Sequence, residues 1–220
     1  GITPTVVNVD ATYMPYNYYT YGQMADIGMT DPYYTSRQAT AYWFQTNTIP
    51  LYRKATYIYA VAQAMTEASE PNPSLVAMSS AGVLSDPGGG LDWWPYSTPE
   101  CIRMQNYYAV AAGAKNLGYW WMLGTNGFGV NIVNGAPAAT ALWKGIGLCG
   151  NEFKTAQPLI VISHPAALTL TPSTNIWVKG LVAGIDSILL VVANDRYTND
   201  INGFHYSPIS NATVTVTLPA

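Results

Sequence analysis

Charged residues are scarce in this sequence. They make up 10% of its 220 residues, against about 25% in an average soluble domain. A disordered, highly charged segment and a coiled coil are therefore excluded. The nine basic and twelve acidic residues leave a net charge of −3, without any basic stripe. We expect no nucleic-acid partner, because duplex binding depends on clustered Lys and Arg.

Long apolar runs are also lacking. One of the longest, residues 181–193, is interrupted by Gly184 and Asp186 and is too short to cross a bilayer. We therefore expect no membrane partner. The chain opens with Gly1 and shows no signal-peptide pattern there. We expect a processed product or a piece of a longer protein.

Cysteine is limited to Cys101 and Cys149. Two cysteines far apart in sequence make neither a metal site nor a disulfide framework, so we expect no metal and no other cofactor. On the helices predicted below, Cys101 lies in the first turn of one helix and Cys149 about eleven residues into the next, an axial offset on the order of 12 Å. A disulfide tolerates at most about 7 Å between Cα atoms. We predict two free, buried thiols.

Neutral polar and aromatic residues take the place of charges. The sequence contains 17 Tyr and 7 Trp. A surface of neutral polar and aromatic groups is typical of extracellular or sugar-handling proteins. We therefore predict an extracellular or secreted protein.

Residues 1–157 alternate strand and helix patterns. The clearest helix follows Thr98, Pro99 and Glu100, a capping sequence with proline in the first turn. The long segment 67–97 is rich in Pro, Gly and Ser and is predicted to be a functional loop. The aromatic segment 10–21 is predicted to be a shorter loop. The pattern predicts strands at 5–9, 24–29, 55–65 and 117–122, and helices at 36–50, 98–113 and 139–154.

Residues 158–220 follow a different pattern, with short strands predicted at 168–171, 176–182, 188–193 and 212–218. In the last of these, Val214, Val216 and Leu218 share one face. We predict a small antiparallel β-sandwich here, as a second domain.

Alternating strands and helices imply parallel pairing and an α/β fold class. Four strands in a domain far shorter than the ~250 residues of a (β/α)8 barrel suit the C-terminal half of such a barrel. A doubly wound sheet is the alternative. The lack of a Gly-rich phosphate loop weighs against a nucleotide-binding sheet of that kind.

Three segments resemble the clan-A type of (β/α)8 glycoside hydrolases. Residues 25–33 (ADIGMTDPY) resemble a strand end of that family. Residues 98–121, from TPECIRMQ to YWW, resemble the segment before and through the last barrel strand. Residues 142–159 resemble the final barrel helix, which leads into an appended β-domain.

The resemblance implies glycan chemistry by paired carboxylates at the C-terminal ends of the strands. It also implies a nucleophilic Glu at the end of strand seven. If residues 55–65 are that strand, the position falls at Gln63, which cannot act as a nucleophile, or at Glu67.

Candidate site residues follow from strand ends and from exposed aromatic pairs. Asp31 and Asp10 each follow a predicted strand, where barrel enzymes place working groups; alternatively they only shape turns. Indole rings pack on the C–H face of a pyranose, or else anchor loops. The candidate catalytic residues are Glu67 and Asp31, and the candidate substrate-binding residues are Trp93, Trp94, Trp120, Trp121, Asp10, Asp92 and Gln63.

The first functional hypothesis is a glycoside hydrolase-like protein that hydrolyses or binds carbohydrate. A half barrel by itself would leave two sheet edges open, which would be an aggregation hazard. We therefore expect the N-terminal half of the barrel to come from another chain or from a longer parent protein. The second hypothesis is a non-catalytic glycan-binding or extracellular structural protein, which Gln63 favours. The third is a small, independent α/β domain with its own closed sheet.

Overall fold

The computed structural model describes residues 3–10, 15–32, 55–79, 98–120, 132–200 and 203–217. The first part contains β1 (Val6–Asp10), α1 (Pro15–Gly22), β2 (Ile27–Asp31), α2 (Thr56–Ser69), β3 (Ser74–Ser79), α3 (Pro99–Ala111), β4 (Asn116–Trp120) and α4 (Pro137–Ile162). The strands that follow are β5 (Ser163–Ala166), β6 (Thr169–Pro172), β7 (Ile176–Ala183), β8 (Ser187–Asn194), β9 (Tyr197–Asp200), β10 (Gly203–Tyr206) and β11 (Val214–Thr217).

Strands β1 to β4 form one parallel sheet in the order β1-β2-β3-β4. Each strand therefore lies beside the strand that follows it among the described segments. The predicted α/β class and parallel pairing are confirmed at this level. Strands 24–29 and 117–122 of the prediction correspond to β2 and β4, each displaced by one to three residues.

The helices form a layer in chain order, with α1 against α2, α2 against α3 and α3 against α4. Helix α2 approaches the sheet closely at Gly28 on β2. A Cβ atom there would lie 2.1 Å from Oγ of Ser69 and 2.5 Å from Sδ of Met65, both on α2. Only a residue without a side chain lets α2 approach β2 this closely.

Helix α3 begins as its sequence predicts. Oγ1 of Thr98 accepts a hydrogen bond of 3.2 Å from the amide of Cys101, and Pro99 occupies the first turn. The buried side of the helix enters the main hydrophobic core with Ile102 and Tyr108, each 0% exposed. Cys101 and Cys149 are both free and buried, as predicted.

The remaining strands form three separate antiparallel sheets, β5-β7-β8, β6-β11 and β9-β10. The change from parallel to antiparallel pairing after α4 was predicted. Helix α4 ends at Ile162 rather than near residue 154, so the predicted boundary at residue 157 lies inside this helix. None of the helices in the described part of the chain is long and apolar enough to span a membrane.

The predicted strand at 55–65 is wrong, because residues 56–65 belong to α2 and residue 55 is its N-cap. Its buried positions Tyr57, Ile58, Val61, Ala62 and Met65 recur at helical spacing. Tyr, Ile and Val favour strands, but the packing of one helical face outweighs that preference here.

Two predicted loops also contain regular structure. Helix α1 at 15–22 overlaps most of the loop predicted at 10–21, and β3 occupies 74–79 within the loop predicted at 67–97. The predicted helix at 36–50 lies outside the described residues.

Candidate functional site

Asp10 and Asp31 are the last residues of β1 and β2, and they are register partners in the sheet. Parallel strands present their carboxyl ends at one edge, and this edge is where α/β proteins place ligand sites. The two aspartates therefore stand next to each other at the carboxyl edge of the sheet. The sequence predicted both positions separately; the register brings them together.

The side chain of Asp31 is buried, with 3% of the residue exposed. Successive residues of a strand point to opposite faces of the sheet. Gly28 faces α2, so Thr30 shares that side and Asp31 points to the face away from the helix layer. An acidic residue is seldom fully buried without a specific role or partner. This burial separates Asp31 from an ordinary surface carboxylate.

Strands β3 and β4 end at the same edge as β2. Their last residues, Ser79 and Trp120, are register partners. Trp120 therefore lies at the carboxyl edge, two strands from Asp31. Trp121, Asp92, Trp93 and Trp94, also predicted as binding residues, lie outside the described part of the chain.

Gln63 and Glu67 lie on the surface of α2, not at the end of a strand. Nε2 of Gln63 donates a hydrogen bond of 2.8 Å to Oε1 of Glu67, one helical turn away. The last turn of α2 reaches the start of β3, where Oγ1 of Thr66 and Oγ of Ser74 are 2.7 Å apart. The amino end of β3 is at the opposite edge from Asp31. Gln63 and Glu67 are candidates because residues 55–65 are predicted to form a strand that ends near them. The segment is helical, so that strand end does not exist.

A polar cluster on the outer side of the helix layer was not predicted as a site. Nε and Nη2 of Arg103 on α3 donate hydrogen bonds of 3.1 and 2.8 Å to the carboxylate of Glu152 on α4. The hydroxyl of Tyr107 donates another, of 2.8 Å, to Oε2 of Glu152. The sequence signal was weak, because Glu152 is 49 positions from Arg103 and resembled an ordinary helix-surface residue.

The electrostatics of this cluster follow from its hydrogen bonds. Those from Arg103 lower the pKa of Glu152, with a smaller contribution in the same direction from Tyr107. Burial, followed by the hydrogen bond to Glu152, raises the pKa of Tyr107 to about 12. At neutral pH the carboxylate of Glu152 is therefore charged and accepts hydrogen bonds from two side chains, those of Arg103 and Tyr107.

The described residues contain no group of three or more His, Cys, Asp or Glu side chains placed to hold a metal ion. Comparison with known proteins found no matching family model, curated protein or solved structure. The carboxyl edge of the sheet is therefore the candidate functional site.

Proposed function

We propose that the chain is a glycoside hydrolase-like, carbohydrate-active protein that acts on glycans at the carboxyl edge of its parallel sheet. The observation that carries the proposal is the register pairing of Asp10 with Asp31 at the ends of two adjacent strands. Adjacent strands are about 4.8 Å apart. Retaining glycoside hydrolases hold their two carboxyl groups about 5–5.5 Å apart. The spacing of the strands suits such a pair.

The proposed chemistry uses the two carboxyl groups in different protonation states. One of them, as an acid, protonates the glycosidic oxygen while the bond from that oxygen to the anomeric carbon breaks. The other, as a carboxylate, attacks the anomeric carbon, and water later hydrolyses the glycosyl ester. Asp31 and Asp10 are the proposed pair.

The proposed binding residues belong to the end of β4 and to sequence segments that follow the carboxyl ends of β3 and β4. Trp120 ends a strand at the same edge, and Trp121 follows it. Asp92, Trp93 and Trp94 precede α3, in the segment that leads from the carboxyl end of β3 to that helix. Stacking of pyranose rings on indole would give affinity, and Asp92 would accept hydrogen bonds from hydroxyl groups.

We further propose that the sheet is the C-terminal half of a (β/α)8 barrel. Among the described elements, the sequential strand order and the helix layer in chain order support this, because a doubly wound sheet reverses its order and covers both faces. The face away from α2 carries Val6, which is 55% exposed, and the half-buried Ile27, Met29 and Leu75. An apolar face of this kind suits a barrel interior completed by an N-terminal half, from another chain or a longer parent protein.

A non-catalytic glycan-binding or extracellular structural protein is the second candidate. The helical position of Gln63 and Glu67 favours it, because the family's nucleophilic glutamate then has no counterpart at a described strand end. The scarcity of charge supports an extracellular location for either candidate.

The test compares Asp31→Asn and Asp10→Asn with Asp186→Asn, a control in the exposed turn between β7 and β8. Aryl glycosides and neutral oligosaccharides are the substrates, with product release and equilibrium binding both measured. We expect the two site variants to lose at least about 100-fold in hydrolysis, while Asp186→Asn matches the wild type.

Three other outcomes separate the candidates. Binding without hydrolysis, lost in the site variants, would favour the non-catalytic protein. Full activity in Asp31→Asn would overturn the site. A loss in Glu67→Gln as large as that expected for Asp31→Asn would restore Glu67 as the nucleophile.

The half-barrel proposal has its own test, the mass of the chain under native and denaturing conditions. A native complex that resolves into the 23.8 kDa chain and a second chain of similar size would support it. A 23.8 kDa monomer that unfolds cooperatively would contradict it.

A further inference from the structure

A groove of about 450 Å³ separates α3 from strands β8, β9 and β10. Its volume lies within the range of about 300–1,000 Å³ found for small-molecule sites. The helix supplies Arg103, Met104 and Tyr107 to one wall, and β10 supplies Phe204 and Tyr206 to the other. Among the described residues, Asp31 does not line this groove, so the groove is distinct from the site proposed at Asp31.

Three aromatic rings form a continuous surface on one face of the β9-β10 ribbon. Tyr197 and Tyr206 are register partners, and Phe204 is two residues from Tyr206 on the same strand. The ring centroids of Tyr197 and Phe204 are 5.5 Å apart with 32° between their planes. Those of Phe204 and Tyr206 are 6.3 Å apart with 34° between their planes. The small angles make a gently curved platform.

The platform is fixed at its inner end and accessible at its outer end. Tyr197 is 7% exposed, and its hydroxyl accepts a hydrogen bond of 2.8 Å from the amide of Ala55, beside the start of α2. Phe204 is half-buried, whereas Tyr206 is 51% exposed. An anchored ring surface loses little conformational freedom when a flat ligand binds, which favours affinity.

The charges of the groove favour a neutral ligand. Glu100 and Arg103 line it, and Arg103 is already paired with Glu152 by two hydrogen bonds. Among the described residues at the groove, one guanidinium thus stands with two carboxylates, so these residues hold no excess positive charge that would attract a phosphate or another anion. The helix wall still offers hydrogen-bonding groups beside the aromatic wall.

We propose that this groove is a second, non-catalytic site that binds a neutral oligosaccharide. A pyranose has a flat C–H face that packs on aromatic rings and a rim of hydroxyl groups that need donors and acceptors. Phe204 and Tyr206 stack on the sugar face, and Arg103 and Glu100 bond its hydroxyls. The site would hold a glycan on the surface next to α3, independently of the carboxyl edge.

The test is calorimetric titration of the full chain with cello-, xylo-, malto- and manno-oligosaccharides, each in turn. Tyr206→Leu and Phe204→Leu remove a ring but keep an apolar side chain, and Tyr206→Phe keeps the ring. Tyr16→Leu removes a tyrosine on α1 that is 84% exposed and serves as the control. We expect each ring-removing variant to raise Kd about tenfold, while Tyr206→Phe and Tyr16→Leu bind like the wild type.

Asp31→Asn distinguishes this proposal from the proposed hydrolase. We expect it to lose hydrolysis but to keep binding that depends on Tyr206. If Asp31→Asn abolishes all binding and Tyr206→Leu has no effect, glycans bind only at the carboxyl edge, and the groove proposal is overturned while the hydrolase stands. Failure of all four oligosaccharides to bind, or tighter binding of an acidic oligogalacturonate, would also overturn it.

Discussion

The guanidinium of Arg103 and the carboxylate of Glu152 form a two-pronged ion pair that joins α3 to α4. Its hydrogen bonds measure 3.1 and 2.8 Å, and Tyr107 donates a third to the same carboxylate. Paired geometry of this kind is stronger than a single contact. The Arg103 side chain is nevertheless 52% exposed, so solvent screening limits the contribution to stability to about 1 kcal/mol.

Replacing Glu152 by Gln should therefore lower the free energy of unfolding by about 1 kcal/mol near neutral pH. The pKa of Glu152 is lowered from 4.5 in the folded state by Arg103. A depressed carboxyl pKa stabilises the fold above the unfolded value and loses this effect as the pH falls through the folded value. In urea unfolding, the difference between wild type and variant should shrink below pH 4.5. A difference that is constant or grows there would contradict the pairing.

Lys115 stabilises the end of α4. Its ammonium group donates to the carbonyl oxygen of Ile160 at 2.8 Å and makes a short contact with that of Ser163. The carbonyl of Ile160 also accepts hydrogen bonds from the amide and the hydroxyl of Ser163, so Lys115 adds a charged donor to the carbonyls at this helix end. Lys115→Met keeps the apolar stem but removes the donors, and we expect a loss of about 1–3 kcal/mol.

Urea unfolding and amide hydrogen exchange in the last turn of α4 would measure this loss. Lys144→Met, which changes an exposed lysine in the middle of the same helix, is the matched control. Equal stability of the two variants would show that the Lys115 contacts contribute nothing.

Elements marked by a short, distinctive sequence pattern, such as a helix cap or an alternation of apolar and polar residues, could be predicted from the sequence. Thr98 and Pro99 marked the start of α3 because a cap and a first-turn proline act within a few residues. Alternation of Val214 and Val216 with threonines marked β11 for a similarly local reason. Both patterns depend on neighbours in sequence, so the sequence alone sufficed.

Residues 55–69 show where local signals fail. Tyr57, Ile58 and Val61 favour strands by propensity, yet they face a core formed with α1, β2 and α3. The helical spacing of the buried positions was present in the sequence, but strand propensity was given more weight than this spacing, and the tertiary contacts that favour the helix are not visible in the sequence. This error also placed Gln63 and Glu67 at a strand end in the prediction, whereas the strand predicted before Asp31 corresponds to β2.

The two thiols should be unreactive in the folded chain. Burial raises the pKa of Cys101 to about 12, and burial also raises that of Cys149. Thiolate is the nucleophile, and very little forms near neutral pH under these conditions. A maleimide should label neither cysteine in buffer and both in guanidinium chloride. Rapid labelling of the folded chain, counted by mass, would show that at least one thiol is accessible.

Glycine has opposite effects at two positions, and alanine substitution should reveal this. Gly28→Ala places a methyl group 2.1 Å from Oγ of Ser69 and 2.5 Å from Sδ of Met65, so α2 must move from the sheet. We expect a loss of about 1–3 kcal/mol from this overpacking. Gly147 lies exposed within α4 with no atom near its Cβ position, so Gly147→Ala should gain about 0.5–1 kcal/mol from helix propensity.

Melting temperatures of these two variants should therefore move in opposite directions from that of the wild type. Adding Ser69→Ala to Gly28→Ala removes the closest clashing atom, and it should restore part of the lost stability because the thioether of Met65 can adjust. If Gly28→Ala melts like the wild type, α2 does not pack on β2 at this distance. The orientation of Asp31 away from the helix layer would then lose its support, because that orientation follows from Gly28 facing α2.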